Sequence, residues 1–163
     1  GLKARHLNKA GAIGTENQLA ALSNEGRLTG LPTKNIPKAA SWSRSWREDP
    51  NNLDHLARSY LDINCGHCHN PQGAADTSGL LLDYHTKNRR QMGVCKPPIA
   101  AGRGSGGLLY SIVPGKPEES ILTFRMQTTD PGAMMPELGR ALVHEDGVDL
   151  IRTWGASLEG ECR

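Results

Sequence analysis

Five residues limit what this chain can fold into more than any others do: Cys65-Gly66-His67-Cys68-His69. Two cysteines three apart, with a histidine directly after the second, have the spacing of covalent haem attachment. One turn of chain between the thiols lets each reach one vinyl group of a porphyrin and form a thioether. His69 then falls beneath the iron, where it can supply an imidazole nitrogen as the proximal axial ligand. A chain carrying this motif is expected to wrap a large apolar body. Composition points the same way, because only 37% of the 163 residues are hydrophobic and 4% aromatic, a thin supply for a core of this size.

Three other readings compete for the same residues. A thiol-disulfide site would use Cys-Gly-His-Cys with a low-pKa thiolate as its working group. Such a site normally belongs to a βαβ unit, which the pattern around residues 50–80 does not suggest. A zinc site would need further ligands, and Cys95 is distant with no partner at a short fixed spacing. An ordinary disulfide or a pair of idle thiols leaves His69 unexplained. Haem attachment is the reading that uses all three side chains.

The length suits one domain with an appended arm. With 19 basic against 17 acidic residues the net charge is +2. A nucleic-acid binder needs a strongly basic footprint, so no nucleic-acid partner is expected. No apolar run approaches the length of a transmembrane segment. The chain starts at Gly1 with neither Met nor an apolar stretch. A removed signal peptide is therefore expected, or an origin as the carboxy-terminal part of a longer protein. Of four cysteines, two belong to the motif. Cys95 and Cys162 remain as an even pair, expected to be disulfide-bonded in an oxidising compartment.

Residues 1–50 form a polar, loop-rich arm expected to pack on the domain formed by residues 51–163. Thr15 with Gln18 fits a capping box, Leu19 and Leu22 give a short apolar stripe, and Gly26 marks the helix end. Trp42 and Trp46 share a helical face; they could shield a haem edge, although anchoring the arm is the favoured role. Residues 52–64 predict the first core helix, with Leu53, Leu56, Ala57 and Tyr60 on one face and Asn51 or Asn52 as N-cap. This helix runs into the haem motif. A turn at Asn70–Gly73 and a short buried segment at Gly79–Leu82 follow.

Lys87, Arg89, Arg90 and Lys96 form a cluster that could dock an acidic partner, though such a face is usually only solvated. Gly102-Arg103-Gly104-Ser105-Gly106-Gly107 matches the dinucleotide fingerprint in letters, but no strand leads into it and no βαβ unit surrounds it. That reading is rejected. Two remain open for the loop: a close backbone approach to a ligand, with Arg103 facing a haem propionate, or a flexible solvated loop. Pro117, with Glu118 and Glu119, predicts a helix start. A last helix is expected over roughly 145–158, with Val148, Ile151, Trp154 and Leu158 on one face. His85 and His144 are retained as substitute iron ligands, with a surface or packing role the simpler expectation.

The order of helix, Cys65–His69, further helices, a Met-Pro loop and a closing helix bearing Trp154 resembles the class I cytochrome c domain. The resemblance implies an all-α, cytochrome c-type helical domain around one covalent haem c. It also implies that Ala57 and Leu61 on the first helix meet Trp154 on the last. The family's distal ligand is a methionine in a late loop before a proline, which points to Met135, whereas Met134 would face the other way. A closer resemblance rests on Ala4–Asn8, Glu16–Ala20, Ile63–His69, Lys96–Gly107 and Met134–Arg140. These stretches are similar to a family of exported bacterial proteins of unassigned activity that carry such a cytochrome domain at the carboxy-terminal end.

The expectation is therefore electron transfer in the periplasm by one haem c. Cys65 and Cys68 attach it, and His69 and Met135 ligate its iron. Met/His ligation raises the potential relative to two histidines. The expected partners are redox proteins, a dehydrogenase or a terminal oxidase among them. An electron-accepting domain of a dehydrogenase complex is the main alternative; a haem enzyme or sensor with an open distal site is another.

Overall fold

The computed structural model describes residues 3–11, 14–32, 34–40, 47 and 50–163. Trp42 and Trp46, and with them the proposed aromatic anchor, lie outside the described residues. The chain divides into two compact units, Gly1–Ser41 and Trp42–Arg163. The arm expected from composition ended at residue 50; the division falls between Ser41 and Trp42.

The first unit holds two short helices, α1 (Ala4–Leu7) and α2 (Gln18–Asn24). The capping box expected of Thr15 and Gln18 is replaced by a cap from Asn17, whose side-chain oxygen accepts from the Leu19 N–H at 2.9 Å. The reason is tertiary. The Asn17 amide donates to Asn8 Oδ1 at 2.9 Å, and the Asn8 amide donates to the Ile36 carbonyl at 2.8 Å. Two linked amides thus choose where α2 begins. Leu19 is the apolar anchor of this unit and is buried.

The second unit is helical, with no β-strand among the described residues, only isolated bridges such as Val94 with Ile112. Its helices are α3 (Leu53–Asn64), α4 (Ile121–Gln127) and α5 (Glu145–Ser157). Asn52 occupies the N-cap position of α3, as expected, but makes no capping bond because a 3₁₀ turn, Pro50–Asn52, leads into the helix. Leu53, Leu56, Ala57 and Leu61 are buried. So are Arg58, Ser59 and Asp62, so α3 is enclosed on more than its apolar stripe. The Arg58 guanidinium donates to the carbonyls of Tyr84 and Thr86, at 2.8 and 2.7 Å, and Asp62 accepts from the Tyr84 N–H at 3.1 Å. These polar contacts lay the segment after the motif along α3.

Pro117 starts a 3₁₀ turn, Pro117–Glu119, and not the helix itself. Ser120 is extended and breaks the two apart. Its hydroxyl accepts from the Val113 N–H at 2.9 Å and donates to the Lys116 carbonyl at 3.1 Å, which holds it out of helical geometry. The helix α4 therefore begins one residue later, at Ile121.

Helices α3 and α5 run antiparallel against each other. Near the start of α3 and the end of α5, the Trp154 indole N–H donates to Asp54 at 2.9 Å. Near their other ends, the Tyr60 hydroxyl lies 3.1 Å from His144 Nδ1, and Gly147 sits so close to Tyr60 that a Cβ there would overlap the phenol. Trp154 is 1% exposed. Its polar partner is thus Asp54, one turn before Ala57, and Leu61 lies toward the Tyr60 end of the crossing. Val148 and Ile151 are buried as expected, whereas Leu158 stands just past the helix end and is half-exposed. No helix among the described residues is long and apolar enough to cross a membrane.

Cys95 and Cys162 are joined in a disulfide, as the even remainder predicts. The bridge ties the chain end beyond α5 to the segment before the glycine-rich loop. Closing so long a loop stabilises the fold by about 4 kcal/mol in the chain-entropy treatment. Three of the four clustered cations serve this region. Lys96 donates to the Ser78 carbonyl, Arg89 to that of Glu159 and Arg90 to that of Cys95.

Candidate cofactor site

The Cys65–His69 motif follows α3 directly, starting at its C-cap residue Cys65, as a turn of its own. The Cys65 and Gly66 N–H groups both donate to the Leu61 carbonyl, at 2.8 and 2.9 Å. The Cys68 and His69 N–H groups then donate to the Cys65 carbonyl, at 3.1 and 2.9 Å. Asn70 closes the turn, its side-chain amide donating to the Gly66 carbonyl at 2.9 Å. Gly73 follows where a Cβ would run into the Cys68 carbonyl. The three candidate side chains therefore leave one tight turn closed by its own backbone bonds.

Both thiols are free and half-buried, although the chain's other two cysteines are oxidised to each other. Burial, with the neighbouring Cys68 adding to it, pushes the Cys65 thiol up to about 12. A thiol-disulfide nucleophile needs the opposite shift, toward a stable thiolate. Among the described residues, no three His, Cys, Asp or Glu side chains gather as a metal cluster. A structural zinc site is built from such a cluster.

Burial lowers the His69 pKa, against a backbone hydrogen bond with Leu80 that raises it, so the neutral imidazole is favoured. Ser78 donates its single hydroxyl proton to the Ala75 carbonyl at 2.6 Å, and its oxygen lies 3.5 Å from His69 Nδ1. The same oxygen also accepts from the Leu80 N–H at 3.2 Å. A metal-ligating histidine is commonly oriented by a second group at its other ring nitrogen, and Ser78 stands beside Nδ1.

Met135 lies in the irregular loop between α4 and α5. Its N–H donates to the Arg125 carbonyl at 2.9 Å, and its own carbonyl accepts from Arg140. Met134 donates its N–H to the Asp130 carbonyl at 2.8 Å. Both thioethers are half-buried. The charges of Arg125 and Glu137 act on His69, and that of Arg140 acts on Tyr60.

Arg103 stands at the outer side of this loop. Its guanidinium pairs with Asp130 at 3.2 Å and lies where a Cβ on Gly132 would be. The glycine-rich loop does make close approaches, and their partners are side chains of α4. Gly104 lies against Arg125 and Gly106 against Phe124. His85 is exposed beside Tyr84, and His144 is engaged with Tyr60.

Two free thiols, a neutral imidazole and the Met135 thioether are the kinds of donor that a covalently held iron porphyrin takes. One further feature fits an anionic group such as its carboxylates: Arg140 Nε is buried with no acceptor. Sequence reading passed over Arg58, Asp62, Ser78, Arg125 and Arg140. The signal for the first two was polar residues on the buried side of α3, and the others carry none that a single sequence displays. No family model, curated protein or solved structure matches the chain.

Proposed function

We propose that this chain is a periplasmic electron carrier with one haem c, bound through Cys65 and Cys68 and ligated by His69 and Met135. The observation that carries the reading is the turn after α3, where two unbonded thiols precede an imidazole at the spacing of covalent haem attachment. When bound, the haem iron supplies reversible one-electron exchange. The protein's part is to hold its ligands still. Ser78 stands beside His69 Nδ1, the Leu61 and Cys65 carbonyls fix the motif backbone, and the Arg125 carbonyl anchors the Met135 N–H. With both axial positions taken by side chains, no open site remains for substrate. The partner is then another redox protein, a dehydrogenase or a terminal oxidase.

Optical spectra of the isolated chain, oxidised and reduced, with and without carbon monoxide, test this. Reversible one-electron cycling without ligand uptake is expected, as is haem that stays with the polypeptide under denaturing conditions. Rapid stoichiometric carbon monoxide binding, or peroxide turnover, overturns the carrier reading in favour of an open-site haem protein.

A further inference from the structure

The loop that carries Met135 contains no regular element to hold it, yet its carbonyl groups are not left to solvent. Arg125 Nε donates to the Ala133 carbonyl at 2.8 Å. Arg140 does more. Its Nη1 donates to the Met135 carbonyl at 2.5 Å and to the Arg125 carbonyl at 3.2 Å, and its Nη2 donates to the Thr128 carbonyl. The end of α4, the entry to the loop and the candidate ligand itself are thereby gathered on one guanidinium. The Arg125 carbonyl is shared, since it also accepts from the Met135 N–H. Both backbone polar groups of Met135 are thus fixed through Arg125 and Arg140.

We infer that Arg140 is the positioning residue for Met135, clamping the loop backbone so that the thioether is presented to the haem iron. The inference rests on the His69/Met135 reading above. The chemistry favours arginine for the task. A planar guanidinium offers several donors in a rigid fork, whereas an ammonium is one compact charge on a flexible stem. Hydrogen bonds from a charged donor are roughly twice as strong as neutral ones. Half-buried, this guanidinium is shielded from much of the water that would compete for the same carbonyls. Without it, the Met135 and Thr128 carbonyls lose the donor they share, and the loop is free to carry the sulfur away from the iron. Charge-assisted bonds of this kind imply a shift of about ten- to a hundredfold in the equilibrium between bound and unbound sulfur.

The test is Arg140→Met, which keeps the aliphatic stem and removes every donor, beside Arg140→Lys, which keeps the charge without the fork. Each holoprotein is read by its sulfur-to-iron charge-transfer band, by carbon monoxide binding to the ferrous form and by far-ultraviolet circular dichroism. The band should weaken from wild type to Lys to Met, and carbon monoxide binding should rise in the same order, with helix content unchanged. Lys116→Met, which breaks only an exposed pair with Glu119, should leave the band intact. A folded Met variant with the full band and no carbon monoxide uptake overturns the inference. Should the Met variant not fold, a Lys variant with the full band overturns it equally. Met135→Ala separates the two levels: if it keeps the band, the ligand assignment fails, and Arg140 is not the cause.

Discussion

The motif turn and the methionine loop are held in place by opposite means. Around Cys65–His69 nearly every fixing bond is between backbone groups a few residues apart, from the Leu61 carbonyl to the His69 N–H. The Asn70 amide reaches back only four residues. Around Met135 the bonds come from two long side chains, Arg125 and Arg140, that reach carbonyls five to fifteen residues away. A turn tied by backbone bonds to a helix end inherits its place from that helix, and changing one side chain leaves most of it intact. An irregular loop has no such inheritance, and its backbone groups must find partners one at a time. The histidine side of the site should therefore tolerate substitution better than the methionine side.

The largest effect expected comes from replacing the thiols. Cys65→Ser with Cys68→Ser should abolish covalent haem attachment while leaving the helical content of the apoprotein in place, because the turn is fixed by backbone bonds. Mass spectrometry and circular dichroism decide it. Haem retained under denaturing conditions would contradict the attachment assignment, and a collapse of helicity would contradict the comparison.

Next in size is the disulfide. Cys95→Ser with Cys162→Ser should lower stability by about 4 kcal/mol, measured by urea unfolding. Because the bridge lies in neither region compared above, the sulfur-to-iron band should be unchanged under native conditions. A loss of that band would show that the methionine loop depends on the chain end as well.

Gly147→Ala probes the crossing of α3 and α5 beside the motif. The new methyl meets the Tyr60 phenol and the His144 ring. Overpacking of this kind costs about 1–3 kcal/mol, against about 1 kcal/mol gained from helix propensity. A modest net destabilisation is expected, relieved when Tyr60→Ala is added. An equal cost with and without Tyr60 would disprove the contact as its origin.

The smallest effect is alkaline. In the apoprotein, where Cys65 is a free thiol, burial, then the Cys65 charge, raises the Tyr60 phenol from 10.0 to about 12. The folded chain therefore keeps this proton to higher pH than the unfolded chain does. The stability so contributed is complete below the unfolded value and is lost as pH rises through the folded one. Unfolding midpoints measured from about pH 9 to 12 should fall with a slope that Tyr60→Phe reduces. An unchanged slope in that variant would remove Tyr60 from the explanation.

By itself the sequence determined the parts of this protein that depend on local spacing. The helix before the motif and the closing helix with buried Trp154 both follow from which residues recur at helical intervals. The disulfide followed from counting, since two cysteines remained once the motif had taken its pair. Only the tertiary structure decided the rest. Asn17 and not Thr15 caps α2, because Asn8 and Ile36 lie beside it. Ser120 delays α4, because Val113 and Lys116 hold its hydroxyl. Arg103 pairs with Asp130, while Arg140 takes the carbonyls around Met135. Each of these depends on hydrogen-bond partners brought close by the fold, and a single sequence carries no periodicity that marks them. Backbone geometry repeats along a chain and can be read from it; a side chain's choice of a distant carbonyl does not repeat.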